Sequence, residues 1–135
     1  MHLLYIFQCP FGKSNSKIGK TSHPDIRLGV YQNSYSEEGH LACFDHVFYG
    51  SAKAVSNLEK AIKIEFNWDI EQDGRGFSEW VNKHTSTQVL EKVQDLIEGY
   101  RFKVYAVPNN FLPLTIDRLA DLENFIKEEN VDVSL

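Results

Sequence analysis

The segment FGKSNSKIGKT, residues 11–21, sets two lysines around a glycine shortly after an apolar run, HLLYIF. These residue types suit phosphate: glycine lets backbone N–H groups approach an anion closely, and ammonium groups neutralise it. A nucleotide-binding P-loop is the first arrangement to consider, and the spacing excludes it. A P-loop holds four residues between its first Gly and the Gly-Lys-Ser/Thr, whereas six separate Gly12 from Gly19, and Pro24 interrupts the helix that would have to follow Thr21. Residues 1–35 nevertheless carry Lys13, Lys17, Lys20 and Arg27 against one acid, Asp25. The histidines His2, His23, His40, His46 and His84 show no HExxH or related spacing, so no zinc site is expected, and only His23 lies beside the basic segment.

Pattern assigns these residues to elements. Residues 2–9, HLLYIFQC, form an apolar run without a turn residue and predict a strand. PFGKSNS supplies a hairpin loop, and KIGKT returns as a second strand. In SHPDIRLGVYQNS, Ser22 is a candidate N-cap and Pro24 a first-turn proline, so a short helix with Arg27 and Tyr31 on one face is expected. LACFDHVFYG predicts a third strand. From Ser51 to Asn67, Ala54, Val55, Leu58, Ala61, Ile62 and Phe66 recur at helical spacing; Glu59 falls at the edge of that face and Glu65 nearer its middle. EQDGRGF reads as a loop, and SEWVNKH as a short turn or helix. STQVLEKVQDLIEGY is a second amphipathic helix, RFKVYAVP alternates as a strand, and TIDRLADLENFIKEEN closes the chain with Ile116, Leu119, Leu122 and Phe125 on one stripe.

At 135 residues and 42% hydrophobic content the chain is long enough for one sizeable core and too short for two. No apolar run approaches a membrane span, and the start MHLLYIFQCPFGK lacks signal-peptide features, so a soluble, intracellular, cytoplasmic protein is expected. Cys9 and Cys43, both in expected strands and outside any CxxC pair, read as reduced, buried thiols. A net charge of −5 argues against a general nucleic-acid coat protein. The acids gather late, in Asp117, Asp121, Glu123, Glu128, Glu129 and Asp132, so a local basic site on an acidic body and ordinary surface scatter both fit.

In order, LLY at 3–5, KIG at 17–19, the arginine helix of KIGKTSHPDIRL and the glutamate helix of LEKAIKIEFN resemble the GIY-YIG nuclease family. GFSEWV is similar to a Glu-Trp-aromatic signature of a phage and bacterial branch. Together these give an expected α/β (α+β) fold: a small, mainly antiparallel three-stranded sheet flanked by helices, with a C-terminal helical extension. The expected division is a core over residues 1–82 and an extension over 83–135 packed on the same domain. The resemblance implies Tyr5 as the group that takes or relays the attacking water's proton, Arg27 as the phosphate clamp, and Glu59 as the ligand of one Mg²⁺ or Mn²⁺. Gly19 would let the backbone approach a phosphodiester, and Lys20 and His23 would line the substrate. Lys17 stands where the family has its second tyrosine, and Tyr31 where it often has a histidine; Asn67 is a candidate for a late asparagine.

The implied function is a metal-dependent endonuclease acting on DNA phosphodiesters. The chain shows no zinc finger, helix-turn-helix or long basic helix, so self-association, a targeting protein or low sequence specificity is expected. The alternative is a catalytically degenerate module of the same type that binds DNA or a protein partner, suggested by the replacements at Lys17 and Tyr31. Simpler readings exist for single residues: Tyr5 as a core aromatic, and Glu59 as the partner of Lys63 at i+4.

Overall fold

A computed structural model describes residues 1–8, 16–35, 43–66, 70–72, 78–81 and 84–129, and for residues 8, 31–35, 70–72 and 78–80 it describes the backbone alone. The strands are β1 (His2–Gln8), β2 (Ser16–Thr21), β3 (His46–Gly50), β4 (Ile70–Gln72), β5 (Ser78–Val81) and β6 (Val104–Ala106). The helices are α1 (Pro24–Tyr35), α2 (Ala52–Glu65), α3 (Ser86–Tyr100) and α4 (Leu119–Glu128).

The uninterrupted apolar run of β1 is explained by burial on both faces, where neither side of the strand meets water. Leu3, Leu4, Tyr5 and Ile6 all have no exposed surface. Leu3, Tyr5 and Phe7 pack with Leu28 of α1 and Leu122 and Ile126 of α4, whereas Leu4 and Ile6 pack with Val55, Leu58 and Ile62 of α2 and Val89 and Val93 of α3. The fold is therefore a mixed α/β arrangement: an antiparallel sheet between two helical layers, with a C-terminal helix on one of them.

The expected three strands form the centre of that sheet as β2-β1-β3, and the full order is β4-β5-β2-β1-β3-β6. Several expectations are corrected. SEWV is strand β5, pairing β2 on one side and β4 on the other, and β4 takes Glu71 and Gln72 from the expected loop. Both strands are too short to show a period of two. The third strand begins at His46; ahead of it, Phe44 bridges to Leu114 and the Asp45 N–H donates to the Ile6 carbonyl, so Cys43 precedes the strand. Burial and the Asp45 charge raise the Cys43 thiol's pKa. Ile116 leaves the closing apolar stripe because residues 116–118 form a 3₁₀ turn, and it is 49% exposed.

Capping fixes the helix starts. Ser51 Oγ accepts the Ala54 N–H at the head of α2, and Thr85 with Gln88 forms a reciprocal capping box at the head of α3. At α1 the helix begins at Pro24, with the Arg27 N–H bonded to the His23 carbonyl, so position 23 is the N-cap rather than Ser22. Glu65 does not enter the core: it pairs with Lys92 at 3.2 Å, tying α2 to α3. Cys9, Lys13, the hairpin tip and Asn67 lie outside the described residues. No helix among the described residues is long and apolar enough to cross a membrane.

Candidate functional site

Directly opposed residues of an antiparallel pair share a face. Tyr5 opposes Gly19 and Phe7 opposes Lys17 on the α1 face, while Leu4 opposes Lys20 on the α2 face. Tyr5 is fully buried, its ring stacked on Phe44 with centroids 4.2 Å apart and planes 11° apart. A buried phenol needs a polar partner, and Arg27 supplies it from the first turn of α1. Its Nη1–H donates to Tyr5 Oη at 2.9 Å, with the guanidinium carbon 6.0 Å from the ring centroid. The half-buried guanidinium is thus held to the sheet by the Tyr5 hydroxyl.

The second cation is held from the opposite face. Lys20 Nζ donates to Ser56 Oγ at 2.9 Å and lies 3.9 Å from Glu59 Oε1. Ser56 and Glu59 stand three apart on α2 and present one flank, as helical spacing requires. Glu59 also meets Lys63 at 3.6 Å, the i+4 pair expected from spacing. The Glu59 side chain is 13% exposed, against 46% for Lys20 and 47% for Lys63.

The two arrangements meet in an open cleft of about 430 Å³ at the end of the sheet, where β1 begins, β2 ends and both α1 and α2 start. His23, Ile26 and Arg27 of the α1 segment, Lys20 of β2, Ala52 and Ser56 of α2, and His2 of β1 line it. Burial, followed by nearby positive charge including His23, pushes the His2 imidazole below its ordinary range. Two cations, Lys20 and Arg27, line this cleft, an arrangement that favours anions.

Of the residues singled out by sequence, Lys20, His23 and Arg27 are brought together here. Tyr5 stands behind Arg27 without lining the cleft. Lys17 is 2% exposed and lies two residues further along β2 on the Tyr5 face, and Gly19 lies in a strand paired on both sides. Tyr31 follows Arg27 by one turn of α1. Glu79 and Trp80 sit on β5 opposite Ile18 and Lys17. Ser56, His2 and Ile26 were not legible: a serine one turn before a glutamate on a helix flank is the only signal that could have flagged the first.

Glu59 is the residue whose donor chemistry suits a divalent ion. Among the described residues its carboxylate accepts no hydrogen bond, since both ammonium groups lie beyond hydrogen-bonding distance, and carboxylate oxygen is the hard donor that Mg²⁺ requires. The described residues contain no cluster of three or more His, Cys, Asp or Glu, and Glu59 itself is paired with Lys20 and Lys63 and stands one turn beyond Ser56, outside the residues that line the cleft.

No curated protein and no solved structure matches the chain. The T5orf172 domain, a distinct and phage-associated family, matches residues 2–101, and no GIY-YIG family match accompanies it. This corrects the resemblance drawn from LLY, KIG and the glutamate helix. Motifs of three residues in β1 and β2 are explained by the fold alone, because Leu-Leu-Tyr is a strand buried on both faces and Gly19 opposes the large Tyr5 ring. By its match over most of its length, the chain belongs to the T5orf172 domain family.

Proposed function

We propose that this chain binds DNA through the sheet-end cleft and hydrolyses a phosphodiester held there. The family is associated with nuclease-like or DNA-binding roles, which supports the class of function. The observation that carries the reading is the convergence of Lys20 and Arg27, from opposite faces of the sheet, on one cleft, each with a dedicated partner.

Arg27 clamps the phosphoryl oxygens, its planar fork suited to two of them at once. Tyr5 is its positioning residue: the hydroxyl fixes the fork's direction from a side chain that stacking and burial hold rigid. Lys20 neutralises the same or the adjoining phosphate, steered by Ser56 and Glu59. His23, exposed at the head of α1, adds a polar contact at the cleft wall. Glu59, next to the cleft on α2 and paired with Lys20 and Lys63, would have to release these lysines to hold one Mg²⁺ or Mn²⁺, which would supply neutralisation of phosphoryl charge. Lys17, buried on the Tyr5 face, adds positive potential from below without touching substrate.

A second reading has its own observation. Tyr5 and Lys17 are both enclosed away from the cleft, which favours a module that binds DNA without cutting it. One experiment separates the two. Supercoiled plasmid is incubated with wild type and Glu59→Ala, with Mg²⁺, Mn²⁺ or EDTA, and binding is measured in parallel in EDTA. Metal-dependent nicking that Glu59→Ala loses while still binding supports the nuclease. Binding without nicking selects the module, and absence of binding by the wild type refutes both.

A further inference from the structure

We infer that the outer face of α2, through Lys53 and Lys60, holds the DNA backbone where it leaves the cleft, an inference that rests on the cleft reading. Lys53, Ser56, Lys60 and Lys63 stand at i, i+3, i+7 and i+10, the spacing that keeps residues on one face of a helix. At 3.6 residues per turn the four fall within an arc of about 80°. The buried residues Val55, Leu58 and Ile62 occupy the other side of α2 and turn this face outward.

The face is continuous with the cleft. Ser56 belongs to both, since it lines the cleft and accepts the 2.9 Å hydrogen bond from Lys20. Lys53 precedes Ser56 by about one turn and Lys60 follows it by about one turn, so each stands about 4–6 Å along the helix axis from the cleft wall. From Lys53 to Lys60 the axis advances about 10 Å, the rise of about three base pairs. A strand with one phosphate in the cleft therefore brings its neighbours within reach of these side chains.

Charge is segregated among the helices. α2 carries three lysines against two glutamates, whereas α3 carries one lysine against Glu91, Asp95 and Glu98, and α4 one against Asp121, Glu123 and Glu128. The glutamates of α2 are engaged elsewhere: Glu59 pairs with Lys20 and Lys63, and Glu65 with Lys92 of α3. Lys53 and Lys60 are exposed, and no carboxylate among the described residues pairs with either. On a chain of net charge −5, this leaves a cationic face beside a cleft that is itself lined by two cations. A polyanion fits such a face, and the DNA in the adjoining cleft is that polyanion.

The test titrates a labelled duplex by fluorescence anisotropy in EDTA at several salt concentrations. Lys53→Gln with Lys60→Gln removes two cations and keeps helix propensity, because Lys and Gln rank together, so the melting temperature should hold. The slope of log affinity against log salt should fall by about 2, and affinity at about 0.1 M salt should drop at least about five-fold. Lys127→Gln, a loss of charge on α4, should alter neither, which separates a phosphate contact from the effect of net charge. A slope that the double variant leaves at the wild-type value overturns the α2 face while leaving the cleft intact. A slope that falls for the lysine pair and not for Arg27→Ala keeps the α2 face and overturns the cleft. No binding by the wild type overturns both.

Discussion

Tyr5→Phe isolates the hydroxyl that holds Arg27. The substitution keeps the ring, so the stack on Phe44 at 4.2 Å and the burial of the side chain are retained. The substitution removes the hydrogen bond of 2.9 Å that the charged guanidinium donates to the hydroxyl. Bonds to charged groups contribute about 1.5–3 kcal/mol, and water can reach the half-buried guanidinium and replace part of this, so the expected cost is about 1 kcal/mol. For a chain of this length that is a fall in melting temperature of about 3–5 °C. The effect on DNA differs in kind from that of Arg27→Ala. Arg27→Ala removes a cation and should lower the slope of log affinity against log salt by about 1. Tyr5→Phe leaves the charge and loosens its aim, so binding should weaken by about two- to five-fold at unchanged slope. Titrating a labelled duplex at several salt concentrations measures both quantities. A Tyr5→Phe protein with wild-type melting and affinity, or one whose salt slope falls as Arg27→Ala makes it fall, would refute the positioning role.

Gly29→Ala, in the interior of α1 with no atom within 4 Å of the added methyl, should stabilise by about 0.5–1 kcal/mol, read as a higher urea midpoint. Gly50→Ala should do the reverse, by about 1–3 kcal/mol, because its Cβ would lie 2.9 Å from the Lys103 carbonyl and backbone must move; the same titration checks it. His46 has its pKa lowered by burial, with Asp45 opposing. A base whose folded pKa lies below its unfolded value of 6.5 favours the folded state while neutral. That contribution is present above pH 6.5 and is lost as pH falls through the unfolded and then the folded pKa. Melting temperature should therefore decline from pH 7 toward pH 5, and His46→Gln should flatten that decline.

Long elements were legible because their pattern has room to repeat. α2 and α3 show their apolar stripes over three turns or more. The central strands were legible because β1 is apolar on both faces. β4 and β5 were not: three and four residues fit several element types, and pairing to β2 decides the matter through hydrogen bonds that no local pattern encodes. Glu65 shows the same limit on a helix. Its angular position lies near the apolar face, yet Lys92 on α3 draws it outward, a partner 27 positions away in the chain.

The site was legible as a set of residues and not as a geometry. Lys20 and Arg27 follow from a basic segment, but their convergence depends on Lys20 facing α2 while Tyr5 and Arg27 occupy the α1 side. Strand alternation makes that division compulsory: Gly19 and Lys20 are neighbours and must project to opposite faces. Two cations on opposite faces can share a ligand only where the sheet stops, at the head of β1 and the foot of β2. The cleft lies at that end for this reason. The same constraint assigns the supports, since Arg27 is within reach of a hydroxyl from β1 and Lys20 within reach of Ser56 on α2. A substitution that turned Lys20 to the other face, such as exchanging Gly19 and Lys20, would bring the ammonium against the Tyr5 ring and remove it from Ser56. It would abolish the convergence while conserving every charge in the chain.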